Sequence, residues 1–167
     1  GVQCVLGNKL YFTANTAAEG NELWCTDGTA LGTLRKSNLG VNASFFSSEF
    51  KLFNNRIILS AADPMGNDEL YGVVDSSGML LKVKEINPSL ASGSSPKEFT
   101  ALGRSLYFTA DDGTNGRELW RTDGTAAGTS MVKDLRSGSG SNPHCLVAYN
   151  GLLYFFANNG SSKAETL

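Results

Sequence analysis

Four glutamates, Glu22, Glu69, Glu118 and Glu165, recur at spacings of 47, 49 and 47 residues. A carboxylate can move a proton, ligate a metal or accept hydrogen bonds from backbone amides. Repetition decides among these. Catalysis needs one group in one place, whereas a group present in every unit serves a need that every unit has. The recurring glutamate therefore reads as an acceptor for the amides of a neighbouring loop. Asp27-Gly28-Thr29 and Asp123-Gly124-Thr125 read as turns, with Asp and Thr closing the loop and Gly taking positive φ. The loop from Asp111 to Glu118 (DDGTNGRE) comes nearest to a calcium site, with Asp111, Asp112 and Asn115 as candidate ligands. It lacks the full Asp-x-Asp-x-Asp-Gly spacing, and the corresponding stretch at 15–20 has lost most of its oxygen donors. No other cofactor is expected. His144 is the sole histidine and sits next to Cys145, which is wrong for a zinc site and for a Cys–His dyad within one strand. No nucleophile elbow, phosphate loop or dinucleotide fingerprint occurs, so the chain reads as a non-enzyme.

The elements that carry these residues follow from turn chemistry. Gly7-Asn8, Asn54-Asn55, Gly103-Arg104 and Asn150-Gly151 suit tight hairpin turns. In the copies where they are clearest, strand a spans 145–149 and strand b 152–157. A polar loop such as 111–117 then leads into strand c at 118–122. The segment DGTAAGT closes c onto strand d at 130–135, and SGSGSNPH carries the chain onward. Each unit is thus a four-stranded antiparallel meander of about 48 residues. The units span approximately 2–41, 42–88, 89–136 and 137–167, the last cut short. Landmarks in step with the glutamates are Trp24, Tyr71 and Trp120, and the pairs Tyr11-Phe12, Ile57-Ile58, Tyr107-Phe108 and Tyr154-Phe155.

Strands b and c do not alternate between apolar and polar. Leu106, Tyr107 and Phe108 are consecutive, as are Leu119 and Trp120. Neighbouring residues on a strand point to opposite faces, so both faces of each meander require burial. Stacked meanders meet that need, and the expected fold is all-β: successive blades of a partial β-propeller, with essentially no helix. In such a stack Trp24, Tyr71 and Trp120 fill the space between blades rather than forming a sugar-stacking ladder.

The segments ELWCTDGTALGT at 22–33 and ELWRTDGTAAGT at 118–129, each preceded by an LYFTA-like strand, resemble the ELWxTDGTxxGT repeat family. The resemblance covers nearly the whole chain. It implies a propeller-like fold in an extracytoplasmic setting and supplies no activity. Copy two departs from the motif, with Tyr71-Gly72-Val73-Val74 after Leu70 and Asp75-Ser76-Ser77-Gly78 in place of the Asp-Gly-Thr turn.

Composition narrows the function. Net charge is −2, and the 14 Lys and Arg form no basic run, which argues against nucleic acid. No apolar stretch reaches the ~20 residues needed to cross a bilayer as a helix. The expected function is a structural and protein-interaction module, an extrinsic subunit or scaffold of a larger extracytoplasmic or lumenal assembly, with a membrane complex among its partners. A carbohydrate-binding surface module is the alternative. Phe45, Phe46 and Phe50 lie in or beside the connection into copy two and are candidate interface anchors. Copy four stops where strand c should begin, so the polypeptide is expected to continue or a partner to cover the open side. Cys4 and Cys25 should not pair, because strand b separates their strands by roughly 9–10 Å.

Overall fold

The computed structural model describes residues 3–18, 20–39, 50–63, 65–73, 77–89 and 92–160. Those residues form strands and no helix. Copy one contains β1 (Gln3–Leu6), β2 (Lys9–Thr16), β3 (Gly20–Thr26) and β4 (Leu34–Arg35). Copy two contains β5 (Lys51–Phe53), β6 (Arg56–Ala62), β7 (Asp68–Val73) and β8 (Leu80–Lys84). Copy three contains β9 (Lys97–Leu102), β10 (Ser105–Asp111), β11 (Arg117–Thr122) and β12 (Ser130–Lys133). Copy four contributes β13 (His144–Tyr149) and β14 (Leu152–Phe156). Each of the first three copies is a four-stranded antiparallel meander in sequence order, and the fourth is a hairpin.

The hairpin turns have the expected backbone. Asn54 and Asn55 both lie at positive φ, as do Asn150 and Gly151, the condition for a primed two-residue turn. Gly7 and Gly103 take positive φ alone. Four strand pairs carry an irregularity that alternation did not foretell: β7 with β8 and β11 with β12 shift register by one residue, and two further strands bulge at positive φ. β9 and β13 bulge at Glu98 and Cys145, both at positive φ. There, two residues on the bulged strand oppose one on its partner.

Strand register corrects one sequence alignment. Phe12 stands opposite Trp24, Leu59 opposite Tyr71, and Phe108 opposite Trp120. The copy-two counterpart of Tyr11-Phe12 is therefore Ile58-Leu59, one residue on from Ile57-Ile58. The slip matters because a one-residue shift exchanges the two faces of a strand.

With that register, each copy has a leading face toward the preceding copy and a trailing face toward the next. Tyr11, Leu23 and Cys25 on the trailing face of copy one share a core with Ile57, Leu59, Ala61, Tyr71 and Val73 on the leading face of copy two. A second core joins Ile58, Leu70 and Val83 of copy two to Leu106, Phe108, Ala110 and Trp120 of copy three. Copy two is thus covered on both sides, and β7 is buried along its whole length. The consecutive apolar residues of strands b and c divide between the two cores, odd positions of β6 to one and Ile58 to the other. The sheets stack as blades do.

Candidate functional site

Glu22, Glu69 and Glu118 are each buried at the start of strand c and face the chain that leaves their own blade. Glu22 accepts a hydrogen bond from the amide of Leu39, Glu69 from that of Ile86, and Glu118 from that of Leu135. In all three copies the donor lies 17 residues ahead. The same carboxylates also hold a serine: Ser37 on Glu22, Ser94 on Glu69 and Ser141 on Glu118. Ser94 and Ser141 donate both hydroxyl and amide to their glutamate. Burial pushes the Glu69 carboxyl above the ordinary range, against hydrogen bonds from the Ser94 hydroxyl and the Ile86 and Asn87 amides that favour its charged form. Glu69, with donors from Ile86, Asn87 and Ser94 on its two oxygens, has its acceptor positions filled by its own chain.

Ser94 and Ser141 were missed in the sequence, where the Gly/Ser/Pro stretch was read only as carrying the chain to the next copy. The signal was available: Ser92-Gly93-Ser94-Ser95-Pro96 and Ser139-Gly140-Ser141-Asn142-Pro143 are one motif in register. Its glycines are demanded by close approach, since a Cβ at Gly93 would stand 2.1 Å from the Asp68 amide nitrogen and one at Gly140 2.6 Å from that of Arg117. The carbonyls of Ser94 and Ser141 in turn accept from Asp111 and Asn158 at the ends of the next strand b. One glutamate therefore fastens the exit of its blade and the entry of the next.

The TDGTxxGT segment is a closed polar network, identical in copies one and three. Asp27 Oδ1 accepts from the amide and hydroxyl of Thr29, at 3.0 and 2.7 Å. Asp123 does the same with Thr125, at 2.9 and 2.7 Å. The hydroxyls of Thr26 and Thr33 meet at 2.8 Å, and those of Thr122 and Thr129 at 2.7 Å. The second glycine is fixed by contact: a Cβ at Gly32 or Gly128 would fall 1.9 or 2.1 Å from the Asp27 or Asp123 carboxylate. The Thr hydroxyl, then the Thr amide, hold both aspartates below the usual carboxylate range. Asp75 and Ser76 of the degenerate turn lie outside the described residues.

Of the calcium candidates, Asp112 and Asn115 are bonded to each other, and Asp111 is bonded separately. Asp111 Oδ1 accepts the Gly113 amide, and Asp112 Oδ1 accepts the amides of Thr114 and Asn115. The Asn115 side-chain amide donates to Asp112 Oδ2 at 2.7 Å. Burial opposes ionisation of Asp112, but these bonds outweigh it and keep the carboxyl low. Asp111, Asp112 and Asn115 are thus engaged within their own loop.

The aromatic landmarks are enclosed. Tyr71 is 7% and Trp120 6% exposed, each within an inter-blade core, and Trp24 is half-buried. No open ring face remains at Tyr71 or Trp120 for a sugar. Phe50 corrects a sequence expectation: it is 9% exposed and belongs to the core between copies one and two, so it cannot anchor an external partner. Phe45 and Phe46 lie outside the described residues, as does Glu165. Cys4, Cys25 and Cys145 are free thiols, and Tyr11 on β2 stands opposite both Cys4 and Cys25, between their strands.

Among the described residues no group of three His, Cys, Asp or Glu side chains converges to hold a metal, and no helix is long and apolar enough to cross a membrane. An open recess of about 560 Å³ between copies two and three gathers Arg56, Arg104 and Arg121, with Arg56 donating to the Asp123 carbonyl at 3.1 Å. No protein-family model matches the chain, and no curated protein matches it.

Proposed function

We propose that the chain is a non-enzymatic interaction module, a propeller segment of the ELWxTDGTxxGT type serving as an extrinsic subunit or scaffold of a larger extracytoplasmic assembly. One observation carries this reading. The polar groups that recur are spent on the fold itself, while apolar side chains project where a fold has no use for them. Among the described residues, copy three exposes Val132 alone of its large apolar residues, and copy one exposes Val5, Leu31 and Leu34. Copy two, which has lost the motif turn, exposes Leu52, Met65, Met79 and Leu81. Copy four exposes Val147, Tyr149, Leu152, Tyr154 and Phe156. Exposed large apolar residues in such numbers on these two units supply contact surface, and the Met residues of copy two are suited to adaptable partner surfaces. The carbohydrate alternative has less behind it, because Tyr71 and Trp120 are enclosed and only Trp24 of the three recurring rings is half-buried.

Affinity purification from the native source, comparing the wild-type chain with a Met65→Ser/Leu81→Ser variant, tests this. The variant is expected to keep its unfolding midpoint and to lose the proteins that co-purify with the wild type. Unchanged association on an intact fold would remove copy two from the contact.

A further inference from the structure

The recess of about 560 Å³ between copies two and three is lined by charges that do not recur from copy to copy. Arg56 opens β6, Arg104 sits in the turn between β9 and β10, and Arg121 lies near the end of β11. In an antiparallel meander the a–b and c–d turns fall at the same end of the sheet, so residues far apart in sequence meet at one rim. They are three of the six arginines in a chain whose net charge is −2. By register, the same positions at the junction of copies one and two hold Lys9, Asn55 and Gly72, one cation instead of three. A need of the blade stack would be met at both junctions. These arginines serve something found at one.

Arg56 is fixed by the turn it crosses. Its Nη1 donates to the Asp123 carbonyl at 3.1 Å, and a Cβ at Gly124 would stand 2.8 Å from its Cδ. At the equivalent Gly28 of copy one nothing lies within 4 Å of such a Cβ. Arg104 and Arg121 are exposed, and among the described residues neither guanidinium has a hydrogen-bond or ion-pair partner. The one acid in the lining is Asp123, whose Oδ1 already takes the amide and hydroxyl of Thr125. The recess therefore holds three positive charges against one negative, a surplus of two. Asn54 and Ser130 add polar side chains to the lining, and no aromatic ring belongs to it.

We propose that this recess binds a doubly charged tetrahedral oxyanion, a phosphate or sulfate group. A guanidinium presents a planar fork of donors that engages two oxygens at once, and its weak hydration suits it to such ligands. A phosphate group carries a charge of about −1.5 to −2 near neutral pH, which matches the surplus, whereas a single carboxylate leaves half of it. Like charges around one rim repel, so an anion seated among them is attracted by each guanidinium and relieves their repulsion. The volume falls within the roughly 300–1,000 Å³ of small-ligand sites. With no ring in the lining to stack upon, recognition falls to the charged group itself, free in solution or borne as an ester on a larger ligand.

The site goes beyond the interaction-module reading and uses different residues, so the Met65→Ser/Leu81→Ser variant is expected to bind phosphate as the wild type does, and either idea can fail alone. Isothermal titration calorimetry with inorganic phosphate, near neutral pH and at constant ionic strength, tests it. Saturable binding of a single phosphate is expected, with inorganic sulfate competing and acetate weaker by about tenfold or more. Arg104→Gln/Arg121→Gln is expected to lose about tenfold or more in affinity with an unchanged far-ultraviolet spectrum, as hydrogen bonds to a charged group are removed. Lys97→Gln, exposed at the far end of β9, is expected to bind normally. A second titration with phenyl phosphate separates the sources: binding at least as tight as that of inorganic phosphate assigns the recess to an ester on a larger ligand, and weaker binding to the free ion. Absence of saturable binding, acetate equal to phosphate, or equal losses in the lysine and arginine variants overturns the proposal.

Discussion

At the residue scale, the TDGTxxGT segment shows how little of a recurring motif need be chemistry. Asp27 and Asp123 are held below the ordinary range by Thr29 and Thr125. The sign of the consequence is fixed: a depressed folded-state value stabilises above the unfolded value of about 3.8, and that contribution is lost as pH falls through the folded value. The wild-type melting temperature is expected to drop more steeply below about pH 4 than that of an Asp27→Asn/Asp123→Asn variant, read by circular dichroism across pH. Equal slopes would show that the turns contribute nothing to acid sensitivity. These residues were readable in the sequence as turn formers. The second glycine was not, because its reason is a contact with a side chain five residues back, and no local propensity records that.

At the element scale, the glutamate at the start of strand c and the serine of the following connection act together. Ser141 gives both hydroxyl and amide to Glu118 and is fully buried. Ser141→Ala removes the hydroxyl's hydrogen bond to the buried Glu118 carboxyl and leaves that acceptor position unfilled, which is expected to cost about 1–3 kcal/mol in urea unfolding. Ser139→Ala, at an exposed position two residues earlier, should stay within about 0.5 kcal/mol. Similar losses from both would mean that the pairing is incidental. Strand order and hairpin turns were legible from apolar runs and Asn/Gly pairs, and the strands β11 and β14 fall within a residue or so of their expected bounds. The bulges at Glu98 and Cys145 were not legible. Nothing in either residue type announces positive φ. Their reason lies between blades, where Glu98 accepts the Leu146 amide and Thr100 donates to the Leu146 carbonyl.

At the scale of the whole molecule, the copies are unequal although the repeat makes them look alike. Copy two lies between two cores, and β6 and β7 are buried almost throughout. Copy four is a hairpin with an apolar row in water. In a stack where each unit contacts only its neighbours, stability is a sum of unit and interface contributions, so the unit enclosed by two apolar cores is the last to open. Amide hydrogen exchange is expected to be slowest across Ile57 to Ala62 and Leu70 to Val73, and fastest in β13 and β14. Uniform protection over all four copies would show that the stack opens as one unit. Copy two was singled out in the sequence for its lost motif. What it lost is an exposed turn, and what it kept is the double-sided burial that consecutive apolar residues encode.

The seventeen-residue reach of the glutamate also acts as a ruler. Strand c, the turn and strand d must together span one length for the amide ahead to meet the carboxylate, and in the first three copies they do. The serine of the connection obeys no such limit: it stands 25 residues beyond Glu69 but 23 beyond Glu118. That difference of two is the same as the difference between the 49- and 47-residue spacings of the glutamates. Growth and shrinkage of the repeat are thereby channelled into the few residues between the end of strand d and that serine. Lineages of such units can drift in length there while the meander itself stays in step, and a designer wishing to splice in a tag or a new loop would open the chain at that same point.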